Sequence, residues 1–143
     1  MISVDTNILV YAHREDSPWH EQAVARVLEL AESGAPWGIP WSVVHEFLAI
    51  VTHPRIYDPP SPLELALEAI QAWEASPGLR FLGEGPGYFE KLAEQATAGK
   101  IKGAKVHDAR IAAVCLHHGV KKLWTADRDF SSFPELVAEN PLI

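Results

Sequence analysis

Short apolar runs alternate with longer amphipathic stretches along all 143 residues. That alternation restricts the chain to an α/β architecture built on a parallel sheet. The runs Ile2–Asp5, Trp37–Pro40, Leu79–Leu82, Lys122–Thr125 and Val137–Glu139 read as strands. Between them lie helical segments with start and stop signals. A first helix begins at Thr6, where the Thr hydroxyl or Asn7 can satisfy free N–H groups. Ser17-Pro18 and Ser61-Pro62 each look like an N-cap followed by proline at the first helical position, and Ser42 looks like a further cap. Gly87–Gly99 and Lys105–His118 read as the last two helices, the final one closed by Gly119. The expected fold is a three-layer α/β/α sandwich with a central parallel sheet of four to five strands. No linker or internal repeat divides the chain, so residues 1–143 are expected to form one domain.

Four carboxylates interrupt or border the apolar segments. Asp5 ends the first strand, and Glu46 lies inside Val43-Val44-His45-Glu46-Phe47-Leu48. Asp108 opens Asp108-Ala109-Arg110-Ile111-Ala112-Ala113-Val114, and Asp127 follows Leu123-Trp124-Thr125-Ala126. In open parallel sheets, ligands sit beyond the carboxyl ends of the strands. Asp5 and Asp127 belong at such ends, and Asp108 in the first turn of a helix. Convergence of Glu46 depends on how its own helix is oriented. Clustered acids repel one another and lose hydration, so they persist only beside a cation. Hard oxygen donors point to a divalent ion such as Mg²⁺.

Charge and composition narrow the functional classes. The net charge is −7, yet seven of the twelve Lys and Arg residues fall between Lys100 and Arg128. The only acids in that segment are Asp108 and Asp127. A basic surface around acids that a metal would neutralise suits a phosphate-bearing substrate, although an ordinary solvated helix end has the same composition. The single cysteine, Cys115, excludes an intrachain disulfide and a cysteine-based zinc site. No apolar run approaches the ~18 residues that span a bilayer, and no signal-peptide pattern opens the chain. A cytoplasmic protein with no membrane association is expected. His45-Glu46 begins a His-Glu-x-x-His zinc motif, but Ala49 stands where the second histidine is required. The turn Gly83-Glu84-Gly85-Pro86-Gly87 lacks the Lys-Ser/Thr of a phosphate loop.

The loop Thr52–Pro62 holds four of the eleven prolines. Arg55, Ile56 and Tyr57 at its tip could touch a substrate or partner; equally, the loop could be a rigid connector. Trp19, Trp37, Trp41 and Trp73 exceed the obvious needs of a small core, though burial accounts for most of them.

Taken together, these residues resemble a known family. Val4-Asp5-Thr6-Asn7-Ile8-Leu9-Val10-Tyr11 is similar to the opening of PIN-domain ribonucleases. So are Glu46, Asp108 within Lys-Val-His-Asp-Ala-Arg-Ile-Ala, and Thr125-Ala126-Asp127-Arg128-Asp129-Phe130. Phe133-Pro134-Glu135-Leu136, Asn140-Pro141-Leu142 and the His53-Pro54-Arg55 loop resemble VapC toxins of toxin–antitoxin pairs. The likeness covers essentially the whole chain.

The resemblance implies a Mg²⁺-dependent (or Mn²⁺-dependent) endoribonuclease that leaves a 5′-phosphate and a 3′-hydroxyl. It assigns the metal site to Asp5, Glu46, Asp108 and Asp127; direct contacts are expected from Asp5, Asp108 and Asp127, with Glu46 acting directly or through water. It also implies a homodimer, held inactive by a small antitoxin that lies over the groove. Neutral Asn7 and Thr125 are suited to donate hydrogen bonds that orient carboxylates. Asp129 could extend the acid cluster or simply fix the following turn. Arg110 could hold a phosphate or pair with an acid. Lys100, Lys102, Lys105 and Arg128 are candidate contacts to the RNA backbone. The rival reading is a non-catalytic PIN-like domain that binds RNA or protein. An aspartate-nucleophile phosphatase is less favoured, because Asn7 replaces the second Asp such enzymes need.

Overall fold

A computed structural model describes residues 1–143. Five parallel strands form one sheet in the order β3-β2-β1-β4-β5. They are β1 (Ile2–Val4), β2 (Trp37–Pro40), β3 (Leu79–Leu82), β4 (Lys122–Trp124) and β5 (Val137–Glu139). Six helices flank the sheet: α1 (Thr6–His13), α2 (His20–Glu32), α3 (Trp41–Val51), α4 (Leu63–Glu74), α5 (Tyr88–Ala98) and α6 (Val106–His117). α1 packs against both α2 and α3, α3 packs against α4, and α5 packs on α6. This is the α/β/α sandwich expected from the alternation. No helix is long and apolar enough to cross a membrane.

Strand order carries the functional consequence. After β1 the chain builds outward through β2 and β3, then returns to place β4 against the other edge of β1. The order therefore reverses between β1 and β4, which makes a crevice at their carboxyl ends. The ladder there continues past the formal strands. The Asp5 amide donates to the Trp124 carbonyl at 2.9 Å, and the Thr125 amide donates to Glu139 at 2.9 Å. Asp5 and Thr125 are thus held side by side.

The core explains why the central strands β1, β2 and β4 are short and mostly apolar. Trp37, Ile39, Val4 and Leu123 are fully buried in the sheet, covered by Ile8, Leu9, Val43 and Phe47 from the helices. Strands buried on both faces need no polar alternation. Trp37 belongs to this core, whereas Trp19 and Trp41 remain partly exposed.

Several helix starts differ from those the serines suggest. Asp5, not Thr6 or Asn7, caps α1, and accepts from the Thr6 amide at 2.7 Å. α2 begins after Trp19; Ser17 instead closes a preceding turn, with its hydroxyl accepting from the Trp19 amide. α3 starts one residue before Ser42, whose hydroxyl is buried without a partner. α4 follows Pro62, and Ser61 is engaged elsewhere, by His13 and Arg14. Only α1 keeps a side-chain cap; α2, α3 and α4 start without one.

Gly78 sets the approach of β3 to β2. Its carbonyl accepts from the Trp37 amide at 2.9 Å, and a Cβ at this position would stand 2.3 Å from the Ala35 carbonyl oxygen. Gly83, at the other end of the strand, has room: the nearest atom to a Cβ is 3.5 Å away. Gly78→Ala should therefore destabilise the fold by about 1–3 kcal/mol in urea unfolding, and Gly83→Ala by much less. Equal midpoints for the two variants would contradict this account of the strand junction.

Candidate metal centre

The crevice at the carboxyl ends of β1 and β4 is a cleft of about 290 Å³. Asp5, Glu46, Asp108 and Asp127 all line it. Each arrives from a different element. Asp5 follows β1, Asp127 follows β4, Asp108 lies in the first turn of α6, and Glu46 projects from α3. α3 buries Val43, Val44, Phe47 and Val51, and this orientation turns Glu46 out of the core toward the cleft. The orientation that the sequence left open is thus fixed by packing.

Asp5 is the most deeply set of the four. One carboxylate oxygen accepts from the Thr6 amide at 2.7 Å and the other from the Thr125 hydroxyl at 2.7 Å. Burial nevertheless pushes its carboxyl up to about 6; the two hydrogen bonds oppose the shift, and the nearby Glu46 and Asp127 charges add to it. The Asp108 carboxyl is also raised, by burial first and then by the charges of Asp127 and Asp129. Two acids in one small cleft are therefore held in a state that resists ionisation unless a cation is near.

The tightest grouping is Asp108, Asp127 and Asp129, each with a carboxylate oxygen within 4.8 Å of the others. A short 3₁₀ turn, Arg128–Ser132, follows Asp127 and brings Asp129 round to it. The Asp129 amide donates to the Asp127 carboxylate at 2.8 Å. Of the two roles considered for Asp129, its side chain takes the first: its carboxylate extends the acid cluster, while the turn is capped by the Asp127 carboxylate. The one ion pair this group makes is with the Lys105 ammonium, 4.0 Å from Asp129 and on an exposed side chain. One such contact does not balance the group.

Thr125 takes the orienting role suggested by its chemistry. Its hydroxyl donates to Asp5 and accepts from the Asp127 amide at 2.9 Å, so it couples the two acids. Asn7 does not act as expected. Its side-chain oxygen accepts from the Ala126 amide at 3.2 Å and ties the end of β1 to the segment after β4. The carboxylates receive no hydrogen bond from it.

The basic run disperses in space. Arg110 pairs with Glu84 at 2.6 Å, which settles its choice in favour of an acid and holds the Glu84 carboxyl below its usual range. Lys122 pairs with Glu139 at 3.1 Å. Lys100 and Lys102 are exposed and do not line the cleft. Arg128 lines a neighbouring hollow that also takes in Thr125 and Asp127. Of the candidate phosphate contacts, Lys105 is paired with Asp129, while Arg110 shares a hollow with Glu46 and Arg128 one with Asp127. Tyr11, Tyr57 and His107 also line the cleft, Tyr11 and His107 from within the motifs around Asp5 and Asp108 and Tyr57 from the proline-rich loop.

An all-oxygen set of closely spaced carboxylates fits Mg²⁺ or Mn²⁺ and does not fit a zinc site built on nitrogen or sulfur.

Comparison with known proteins agrees with this geometry. The family model described as PIN domain matches residues 2–136. Ribonuclease VapC48 of Mycobacterium tuberculosis (strain CDC 1551 / Oshkosh) is 31% identical over 137 residues, covering 96% of this chain and 94% of that protein. VapC ribonuclease Mb2897 of Mycobacterium bovis is 33% identical over 142 residues, covering 99% of this chain and 96% of that protein. The structure of VapBC2 from Rickettsia felis, bound to a DNA fragment from their promoter, superposes with a TM-score of 0.72 at 21% identity, covering 98% of both chains. With a matching family model over nearly its whole length and VapC proteins among its relatives, the chain belongs to the PIN-domain family, on its VapC side.

Proposed function

We propose that this chain is a divalent-metal-dependent endoribonuclease and the toxin of a VapBC toxin–antitoxin pair. The observation that carries the reading is the convergence of Asp5, Glu46, Asp108 and Asp127 on one cleft at the sheet's switch point. The relatives named ribonucleases support it. In this reading residues 1–143 act as a single PIN domain in the cytoplasm, as a homodimer, and a cognate antitoxin restrains them.

Asp5, Asp108 and Asp127 would hold Mg²⁺ or Mn²⁺ directly, with Glu46 acting directly or through water and Asp129 completing the acid group. The ion, when bound, supplies an acidified water as nucleophile and offsets charge on the scissile phosphate. The protein's own work is positional. Thr125 fixes the Asp5 carboxylate and the backbone of Asp127 together, so the acids keep their spacing when a negatively charged strand enters. Lys105 at the rim offers a backbone phosphate a cation without entering the acid group.

Three measurements test this reading. In a cleavage assay on transfer and ribosomal RNAs, Mg²⁺ should be required and EDTA should abolish cutting. Asp108→Asn should remove nearly all activity, and Thr125→Val should lower it by about 10- to 100-fold. Cutting that persists in EDTA would contradict the metal centre. RNA binding without cleavage under any divalent ion, unchanged by Asp108→Asn, would favour a non-catalytic binder.

The raised Asp5 carboxyl gives a second test, with a definite sign. An acid whose pKa is higher folded than unfolded stabilises the fold only while it is protonated. That contribution is lost as pH rises from the ordinary carboxylate range through about 6. At neutral pH the metal-free protein then carries a buried charge that costs up to about 3 kcal/mol. Saturating Mg²⁺ should therefore raise the melting temperature more at about pH 7.5 than at about pH 5, and Asp5→Asn should shrink the difference. An equal shift at both pH values would show that Asp5 does not feel the ion.

Third, sedimentation of the free protein at micromolar concentration should give the mass of a dimer; a monomer would contradict the proposed assembly.

A further inference from the structure

The proline-rich loop 52–62 is pinned at both ends, and the pinning converges on one aromatic ring. His53 starts the loop: its carbonyl accepts from the Ile56 and Tyr57 amides at 3.1 and 3.0 Å, and its ring nitrogen accepts from the Arg55 amide at 3.0 Å. The Ser61 amide closes it by donating to the Val51 carbonyl at 2.8 Å. From α1 and its end, His13 and Arg14 reach across to the Ser61 hydroxyl, at 2.9 and 3.2 Å. The Arg14 side chain is only 11% exposed and is forked onto Asp16, with its Nε 2.9 Å from one carboxylate oxygen. Its guanidinium lies over the Tyr57 ring, 4.3 Å from the centroid. Tyr57 is half-buried and lines the acid cleft.

A connector needs none of this convergence. A planar, uncharged ring, backed on one face by a nearly buried cation and set beside four carboxylates, is built to meet something flat. Phosphates would be steered by cations, and the rim offers few. A nucleobase offers a π-face that an aromatic ring can stack, largely regardless of sequence. We propose that Tyr57 is a positioning residue that stacks a nucleobase adjacent to the scissile phosphate. A base still paired in an A-form helix cannot present its face to the ring. Arg14 holds the ring in register by cation–π contact. The inference rests on the nuclease reading for the identity of the strand.

The test measures binding separately from cleavage. Fluorescence anisotropy in an Asp108→Asn background compares a short single-stranded RNA with an abasic ribose-phosphate oligomer of the same length and charge. Tyr57→Leu should weaken binding of the RNA by roughly tenfold and leave the abasic oligomer unchanged, whereas Tyr57→Phe should bind both as the parent does. Melting temperatures of all variants check that each is folded, and Tyr57→Phe preserves the ring if Tyr57→Leu does not fold. Equal loss for both oligomers, no loss for either, or a parent protein that does not prefer the RNA over the abasic oligomer overturns the platform. Cleavage by the otherwise unaltered protein is scored separately. A chain that shows base-dependent loss at Tyr57 but never cuts refutes the nuclease and keeps the platform; a chain that cuts but is indifferent at Tyr57 does the reverse.

Discussion

Repulsion among carboxylates that cannot be fully hydrated is the constraint on which this structure turns. Asp5 is nearly inaccessible, Asp108 is half-buried, and both are raised by burial and by their acidic neighbours. A fold selected only for stability would replace such a group with apolar residues or pair it with arginine. Here the one ion pair is with an exposed lysine. The sheet instead spends its switch point, the best-defined crevice it has, on holding the acids together. The cost becomes intelligible once a doubly charged ion is part of the site.

The supporting structure serves that arrangement. Parallel order around β1 and β4 places Asp5 and Thr125 in register, and Thr125 passes the position of Asp5 on to Asp127. A single 3₁₀ turn then folds Asp129 back onto Asp127. Three of the positions are therefore fixed by backbone geometry, and their separation is set before any substrate arrives. Glu46 is different. It is exposed on α3, and its place depends on the packing of Phe47 and its apolar neighbours. It has more freedom to adjust its distance, which suits an acid that acts through water.

Much of this was legible in the sequence, for physical reasons. Buried parallel strands are short, continuous and apolar, so their bounds stand out; three of the five coincide with the expected spans, and the other two end one residue earlier. Acids at their ends stand out by contrast. What the sequence could not show depended on distant partners. Ser61 looks like a helix cap but is drawn away by His13 and Arg14 from the end of α1. Asn7 looks like a carboxylate donor but serves the Ala126 amide. The basic segment 100–128 is continuous in the chain and scattered in space, because Arg110 and Lys122 each find an acid on another element. Tyr57 gave a weak signal as part of a proline-rich loop, and only the fold sets it beside the acids.

The most direct test is crystallographic. Crystals grown with Mn²⁺ should show an anomalous peak bounded by Asp5, Asp108 and Asp127, with carboxylate oxygens at bonding distance from it. A map without such a peak at saturating Mn²⁺, with these side chains turned toward solvent and away from one another, would contradict the metal centre and the chemistry built on it.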